Sequence, residues 1–128
     1  MSRPTTSAEA NPLKRPLEDV ASIDGVLWAV VLDSDGLVVE SVSKINNDHL
    51  DMISGAACLV LEANSRIGQD LGCGNLQYVL SDFDNGRLFI MSLKSGGAFL
   101  IVHTEKRVNV SLAKYALEKA KALLDSAI

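Results

Sequence analysis

The chain has 128 residues, of which 48 % are apolar and 22 % are charged, and its formal net charge is −4. This length suffices for one domain with a sizeable core, and the composition is that of an ordinary globular protein. The negative net charge, without a stripe of Lys and Arg interleaved with aromatic residues, argues against a nucleic-acid binder. No apolar run approaches the roughly 20 residues that span a bilayer, and none follows the N-terminal charges as in a signal peptide. We therefore expect a cytoplasmic protein that does not insert into membranes.

The N-terminal residues Met1–Asn11 are rich in Ser, Thr, Ala and Pro and show no apolar periodicity. We predict that they form a disordered tail ahead of a single domain over residues 12–128. Within that domain, Pro12–Ile23 spaces its apolar residues three apart behind Pro16, a residue that suits the first position of a helix. A short amphipathic helix is predicted there.

Two strands joined by a tight turn are predicted next. Val26–Leu32 is apolar throughout, which is typical of a central strand covered on both faces. Leu37–Val42 returns as its hairpin partner after Asp33–Gly36, an Asp-Ser-Asp-Gly turn. The two aspartates of that turn also suggest a calcium loop, but the further oxygen ligands and the closing glutamate are missing, so we favour the turn.

The longest helix is predicted over Leu50–Leu71, with Asp48 as its N-cap. On a helical wheel its apolar residues cover an arc of roughly 200°, twice the roughly 100° that one packed face requires. Either this helix is buried under its own chain, or one flank faces its own sheet and the other faces a second copy. The first flank comprises Leu50, Ile53, Ala57 and Leu61. The second flank comprises Met52, Ala56, Leu59 and Ala63.

Three glycines, Gly68, Gly72 and Gly74, indicate that the long helix ends there. Three strands are then predicted, at Leu76–Phe83, Arg87–Leu93 and Ala98–His103. The first two are joined through Asn85-Gly86, a strong hairpin signal. Leu76–Phe83 alternates with polar residues and is predicted as an edge strand, whereas the nearly all-apolar Ala98–His103 should lie centrally beside the first strand.

The last helix is predicted from about Val110 to Ser126, with Asn109 as its cap. One apolar stripe runs along it at alternating spacings of three and four. Lys114–Glu118 and Lys121–Asp125 form i,i+4 pairs on the opposite, solvated face.

The sequence contains little that indicates catalysis. The cysteines Cys58 and Cys73 have no metal or redox spacing, and neither His49 nor His103 has a second ligand at metal spacing. The chain lacks both a G-x-S-x-G elbow and a P-loop, so we expect neither a hydrolase nor a protein that hydrolyses GTP itself. We predict no catalytic residue, no metal and no cofactor. Arg66 lies on the polar side of the long helix, where it is either an ordinary solvated arginine or one that acts in trans on a GTPase.

The order of these segments resembles the roadblock/LC7 family. The resemblance is carried by IDGVLWAVVLDSDGLVVES (Ile23–Ser41), by MISGAACLVLEANSRIG (Met52–Gly68), by the strand pair GRLFIMSL and GGAFLIVH, and by the final helix. It spans roughly Leu13 to Ser126. The resemblance implies a profilin-like five-stranded antiparallel sheet with one long helix on one face and two helices on the other. It also implies dimers in which the long helices pack together and the following edge strands pair. The implied interface residues are Met52, Ala56, Leu59, Val60, Ala63, Leu76, Tyr78 and Leu80.

Members of the family regulate Ras-like small GTPases, some as activators, while eukaryotic relatives act as dynein light chains or scaffolds. The resemblance therefore implies a homodimeric, non-catalytic regulator of a Ras-like GTPase, with no fixed catalytic residue to carry over. The exposed positions expected to contact the GTPase are Asp51, Glu62, Arg66 and Gln69. A structural adaptor with no effect on GTP turnover is the main alternative. A small-molecule sensor is a third, although the Val, Leu and Ile of the strands fill the space that a ligand would need.

Overall fold

The fold is that of a computed structural model, which describes residues 11–46 and 50–128. The elements in chain order are helix α1 (Lys14–Ala21), strands β1 (Val26–Asp33) and β2 (Val38–Ser43), helix α2 (Leu50–Asp70), strands β3 (Val79–Phe83), β4 (Gly86–Leu93) and β5 (Ala98–Thr104), and helix α3 (Val110–Ala127). A short turn (Lys94–Gly96), in which Lys94 and Ser95 adopt left-handed φ values of +48° and +53°, connects β4 to β5. The predicted tail up to residue 10, the predicted cap Asp48 and His49 lie outside the described residues.

The five strands form one antiparallel sheet in the order β2-β1-β5-β4-β3. The apolar strand β5 lies beside β1, and the alternating strand β3 lies at an edge, as the sequence predicts. Strand β1 is buried along almost its whole length, because both faces of the sheet are covered at its position. A continuous apolar run thus marks a strand in the middle of the sheet.

Two apolar layers sandwich the sheet. On one face α2 packs on a core of Trp28, Val30, Leu32, Ile90 and Ile101. On the other face α1 and α3 pack on a larger core that includes Ala29, Val31, Phe89, Met91, Leu100 and Val102. Alternate residues of each central strand therefore serve opposite layers. The predicted fold, with one long helix on one face and two helices on the other, is confirmed.

The β1–β2 connection is a turn in which the Asp33 carboxylate binds the backbone. Its Oδ1 accepts hydrogen bonds from the backbone N–H groups of Asp35 (2.9 Å) and Leu37 (3.0 Å). This arrangement is the Asx turn that aspartate favours. The turn interpretation is confirmed.

Helix α1 begins two residues before the predicted Pro16, which therefore occupies the third helical position rather than the first. That position also tolerates proline, because the N–H groups of the first turn have no partner within the helix. Asn11 organises the start: its side-chain oxygen accepts from Leu13 N at 3.0 Å, and its amide donates to a carboxylate oxygen of Glu40 on β2. Asn11, which the prediction assigns to the tail, is thus bonded to the domain.

Strand β3 begins at Val79, three residues later than predicted. Beyond Ile90, the pairing partner of Val79, β4 pairs only with β5. The predicted hairpin is present, but Asp84 and Asn85 connect its strands, because Gly86 of β4 already pairs with Phe83, and Gly86 does not have a positive φ. A Cβ at Gly86 would lie a tight 3.0 Å from the carbonyl oxygen of Thr104 on the neighbouring strand, so glycine allows the two strands to approach closely there.

Helix α3 has the predicted cap, since the Asn109 side chain accepts from Leu112 N at 3.0 Å. Of the two predicted ion pairs, Lys121–Asp125 is formed, with N and O 2.9 Å apart. Lys114 instead lies over the ring of Tyr78, its Nζ 5.3 Å from the ring centroid. Over the residues that the structure covers, none of the helices is both long and apolar enough to cross a membrane.

Candidate functional site

The inner side of α2 binds the helix to its own sheet. Ser54, Ala57 and Leu61 are its buried residues, and Leu50 and Ile53 pack partly against the same core. The buried Ser54 hydroxyl is satisfied by donating to the carbonyl oxygen of Leu50 at 2.5 Å. The flank predicted to face the sheet therefore does so.

The outer side of α2 is apolar and uncovered. The side chains of Met52 and Leu59 are 71 % and 66 % exposed, and Ile67 is more than half exposed. Between them lie the small, exposed residues Ala56 and Ala63. We call these five residues the outer stripe of α2; they span about four turns of helix on one side. The interpretation in which the whole helix is buried under its own chain is therefore wrong.

The outer stripe is prolonged by the way α2 ends. Gly72 adopts a left-handed φ of +71°, its N–H donates to the Gln69 carbonyl (3.0 Å), and Cys73 N–H donates to the Gly68 carbonyl (2.8 Å). These two bonds form a Schellman motif, which confirms the predicted helix end. The motif leaves Leu71 exposed directly after the helix.

The edge strand β3 follows the end of α2 after eight residues. Its outer edge has no pairing strand among the described residues, so its outward N–H and C=O groups are open to a partner strand. The predicted interface residues there differ in their surroundings. Leu76 packs partly on the core beneath α2, whereas Tyr78 and Leu80 pack partly on the opposite core.

Val60 is half-buried, because part of its side chain packs on the core between α2 and the sheet and the rest is exposed. Of the predicted interface residues, the outer-stripe members Met52, Ala56, Leu59 and Ala63 are therefore the most exposed. The sequence prediction left out Ile67 and Leu71, although both are exposed on the same helix or directly after it. The helical wheel contained the signal for Ile67, which falls within its apolar arc.

The four predicted partner contacts, Asp51, Glu62, Arg66 and Gln69, are all exposed on α2. They follow the polar border of the outer stripe. Arg66 has no carboxylate within ion-pair distance over residues 11–46 and 50–128. Gln69 is partly engaged, because its amide donates to the Gly74 carbonyl at 3.2 Å.

A cleft of about 630 Å³ lies beside the second half of α2. Glu62, Gln69 and Cys58 line it from the helix, and Ser34 and Ser95 line it from the two turns at that end of the sheet. Burial raises the pKa of the Cys58 thiol, and nearby carboxylates raise it further. The thiol is therefore neutral at pH 7 and is not activated for nucleophilic attack. The sequence does not predict that Ser34 and Ser95 line this cleft, because both lie in turns that are far from α2 in sequence.

The other residues considered for chemistry have structural surroundings. The His103 ring packs against Trp28 with ring centroids 5.4 Å apart, and burial lowers the pKa of His103. Over the described residues, His, Cys, Asp and Glu side chains nowhere gather in threes that could hold a metal ion. The features that stand out are therefore surfaces, above all the outer stripe and the β3 edge.

The sheet order and the one-plus-two arrangement of helices define a small α/β domain of the roadblock type. Residues 14–103 match the model of the Roadblock/LC7 domain family. The match covers most of the chain, and the chain belongs to this family. No curated protein sequence matches the chain significantly.

Solved structures share the fold at low sequence identity. The gliding protein MglB from Thermus thermophilus is 16 % identical with a TM-score of 0.82, covering 91 % of this chain and 87 % of its own. An MglB with a tetrameric arrangement is 17 % identical with a TM-score of 0.80, covering 91 % and 89 %. A Roadblock/LC7 domain from Streptomyces avermitilis is 22 % identical with a TM-score of 0.73, covering 82 % and 87 %.

Proposed function

We propose that this protein is a homodimeric regulator that binds a Ras-like small GTPase and contributes no catalytic group of its own. The dimer forms through the outer stripe of α2 and the β3 edge. The observation that carries the proposal is the outer stripe, because a long helix of a monomer seldom leaves so much apolar surface in water. Since Ras-like GTPases work in the cytoplasm, the proposal also places the protein in that compartment.

The physical case for the dimer is the burial that it offers. Covering a large apolar side chain such as Met52, Leu59 or Ile67 stabilises by about 1.5–3 kcal/mol, and a symmetric interface counts each side chain twice. Ala56 and Ala63 lie between these side chains and allow two helix backbones to approach closely. Pairing of two β3 edges would satisfy the outward backbone groups of both copies. Together these terms are of the size needed to offset the cost of association.

Substitution of Leu59 tests the dimer. In the Leu59→Asp variant each copy would bury an unpaired carboxylate, at several kcal/mol, so we expect a monomer or an aggregate in light scattering. Leu37→Asp is the matched control, because Leu37 is 63 % exposed against 66 % for Leu59 but lies next to β2, at the other edge of the sheet. The control should stay dimeric. An intact Leu59→Asp dimer would refute the interface.

In the proposed complex the paired long helices hold the switch loops of the GTPase in a productive arrangement, so that catalysis arises from positioning. The contacts are the polar border residues Asp51, Glu62, Arg66 and Gln69. The purified dimer would be mixed with the Ras-like GTPase encoded nearest to it, and binding and GTP turnover would be followed in the GDP and GTP states. We expect binding that depends on the nucleotide and a faster turnover. Absence of binding in both states would defeat the proposal.

The role of Arg66 can be separated from mere contact. An arginine that stabilises transition-state charge contributes to turnover far more than to affinity. Arg66→Ala would then lower stimulated turnover by orders of magnitude at saturating dimer, whereas a positioning dimer loses only affinity. Our proposal, in which the dimer donates no catalytic group, expects the second result.

The adaptor function is the second candidate. It is favoured by the chemistry of the exposed face of α2, because the outer stripe consists of apolar side chains, which bind a partner but take no part in phosphoryl transfer. The two functions differ in the same experiment, since an adaptor binds independently of the nucleotide and leaves the hydrolysis rate unchanged. Self-association supports both, and the tetrameric arrangement of a structurally similar MglB is consistent with a surface that joins copies.

A further inference from the structure

A second exposed apolar surface lies on the face of the sheet opposite α2. Around α3 the residues fall into three sectors, because each residue turns by about 100°. One sector packs on the core and one carries the charged pairs. The third presents Leu112, Tyr115 and Leu123, whose side chains are about half exposed or more, with Tyr115 at 66 %. An ordinary amphipathic helix has only the first two sectors.

This third sector forms one wall of a groove between α3 and α1. The other wall contains Val20 and Ile23, from α1 and the residues just after it. The groove has a volume of about 320 Å³, and its lining extends from Leu112 to Leu123 along α3, a distance of about 16 Å or three helical turns. Helix α1 has only 8 residues against 18 in α3, so α1 can accompany α3 along less than half of its length.

The length and shape of the groove suit a helix. Two helices packed side by side on a sheet leave a furrow between them, and a third helix fits such a furrow by placing side chains at i, i+4 and i+7 along its floor. An extended strand would need an open sheet edge, and the groove has none, since helices form both walls. The apolar lining requires that the inserted side chains be apolar as well.

The charged residues at the groove indicate which charges the flanks of the bound helix should carry. Asp19 lies on the α1 wall and Lys119 on the α3 wall, and both are exposed. Neither side chain has an ion-pair partner within the described part of the chain. A second copy of this chain would have to dock a helix with a matching apolar stripe, and its α2, the obvious donor, is engaged in the proposed dimer.

We propose that the groove between α1 and α3 binds an amphipathic helix of a partner protein, with a basic flank against Asp19 and an acidic flank against Lys119. The site lies on the face of the sheet opposite the outer stripe of α2. One proposed dimer could therefore hold two such helices while the polar border of its paired α2 helices remains free for another partner. The proposal rests on the proposed α2 dimer only where it sets aside a second copy as the occupant, and it does not depend on which partner binds that dimer.

The probe is a fluorescent, capped helical peptide of about 14 residues with Leu at i, i+4 and i+7, Arg on one flank and Glu on the other. Its binding to the full chain would be measured by fluorescence anisotropy, and its position by amide chemical shifts. We expect saturable binding with the largest shifts along the groove. No binding up to millimolar concentration, or shifts centred on α2, would overturn the proposal.

Two variants test the two parts of the site. Tyr115→Asp should weaken peptide binding at least about tenfold while leaving the fold intact, since Tyr115 is mostly exposed. Asp19→Lys should weaken binding several-fold, and a peptide with Glu on both flanks should restore it. Glu118→Lys, which makes the same charge change on the charged sector of α3, is the control and should bind as the unaltered chain does.

The same variants decide against other occupants. If Tyr115→Asp lowers the molar mass of the protein in light scattering, a second copy occupies the groove and the proposal is wrong. If Asp19→Lys binds both peptides equally, the groove is a non-specific apolar surface and the assigned partner chemistry is wrong. Retained folding is checked by thermal unfolding of each variant.

Discussion

Helices α2 and α3 pack on opposite faces of the same sheet, and each leaves large apolar side chains in water. On α2 the exposed residues form a stripe opposite the core contacts, so one side of the helix binds the sheet and the other faces outward. On α3 the exposed residues lie to one side, along the groove between α3 and α1. The exposed face of α2 suits a flat, symmetric partner, whereas the groove beside α3 suits a narrow partner.

The difference also explains why only one of the two was predicted. The exposed apolar surface of α2 follows from the sequence of the helix itself, because its apolar arc is wider than any single sheet can cover. The exposed apolar surface of α3, by contrast, depends on the length and position of α1. A longer first helix could have covered Leu112, Tyr115 and Leu123. The sequence of α3 alone does not predict that α1 has only about two turns.

The largest expected effect separates the inner and outer sides of α2. Leu61 is buried and Leu59 is exposed, although both are leucines in the same helix two residues apart. Leu61→Ala should lower the free energy of unfolding by about 2–5 kcal/mol, because it removes core contacts and leaves a cavity. Leu59→Ala should leave the domain itself nearly unchanged. Urea unfolding of both variants at two protein concentrations measures the difference.

Protein concentration is the control in that experiment. A dimer unfolds at higher urea when it is more concentrated, since association favours the folded state. In the proposed dimer, Leu59→Ala should shift the midpoint most at high concentration, where the unaltered chain is dimeric, whereas Leu61→Ala should shift it at both. Equal, concentration-independent midpoints for Leu59→Ala and the unaltered chain would contradict a role for Leu59 in self-association.

Much of the fold could be predicted because its cause is local. The apolar runs of β1 and β5 required cover on both faces and so placed these strands centrally, and the Asp33 turn and the Asn109 cap follow from single side chains. The start of β3 could not be predicted in this way. Leu76–Phe83 has the composition of a strand, but only Val79–Phe83 finds a pairing partner in β4.

The candidate site shows the same division. The wheel of α2 identified the exposed apolar residues, since exposure on a helix packed on one sheet follows from angle alone. The sequence could not show that Tyr78 and Leu80 pack toward the core on the opposite face of the sheet, because that depends on which face each residue of the edge strand points to. The cleft beside Cys58 was likewise invisible, as Ser34 and Ser95 come from turns that are distant in sequence.

A smaller effect compares the ends of the two helices. α2 ends at Gly72 with φ +71°, and α3 begins at Asn109, whose side chain accepts from Leu112 N. Gly72→Ala forces a Cβ into the left-handed region, and Asn109→Ala removes the cap, so each should cost about 1 kcal/mol. Thermal unfolding measures both. Gly55→Ala, inside α2 with open space around the added Cβ, should have the opposite sign, stabilising by roughly 0.5–1 kcal/mol.

The smallest effect concerns the charged sector of α3 and depends on pH. Burial raises the pKa of Asp125, but the Lys121 ammonium and the backbone N–H of Lys94 outweigh burial, and the net pKa is lowered. An aspartate with a lowered pKa stabilises the fold above its unfolded pKa of about 3.9, and this contribution is lost as pH falls through the lower folded value. Asp125→Asn should therefore cost about 0.5 kcal/mol at pH 7 and almost nothing near pH 2.

Urea unfolding at the two pH values measures the loss, and Lys121 supplies the test of its cause. If the carboxylate acts through the ammonium, Asp125→Asn should cost less in a Lys121→Met background than in the unaltered chain, and the difference is the coupling energy of the pair. The bond to Lys94 N–H, which holds the β4–β5 turn against α3, should survive in that background because it does not involve Lys121. A cost of Asp125→Asn that stays the same at both pH values would mean that the side chain acts through its shape rather than its charge.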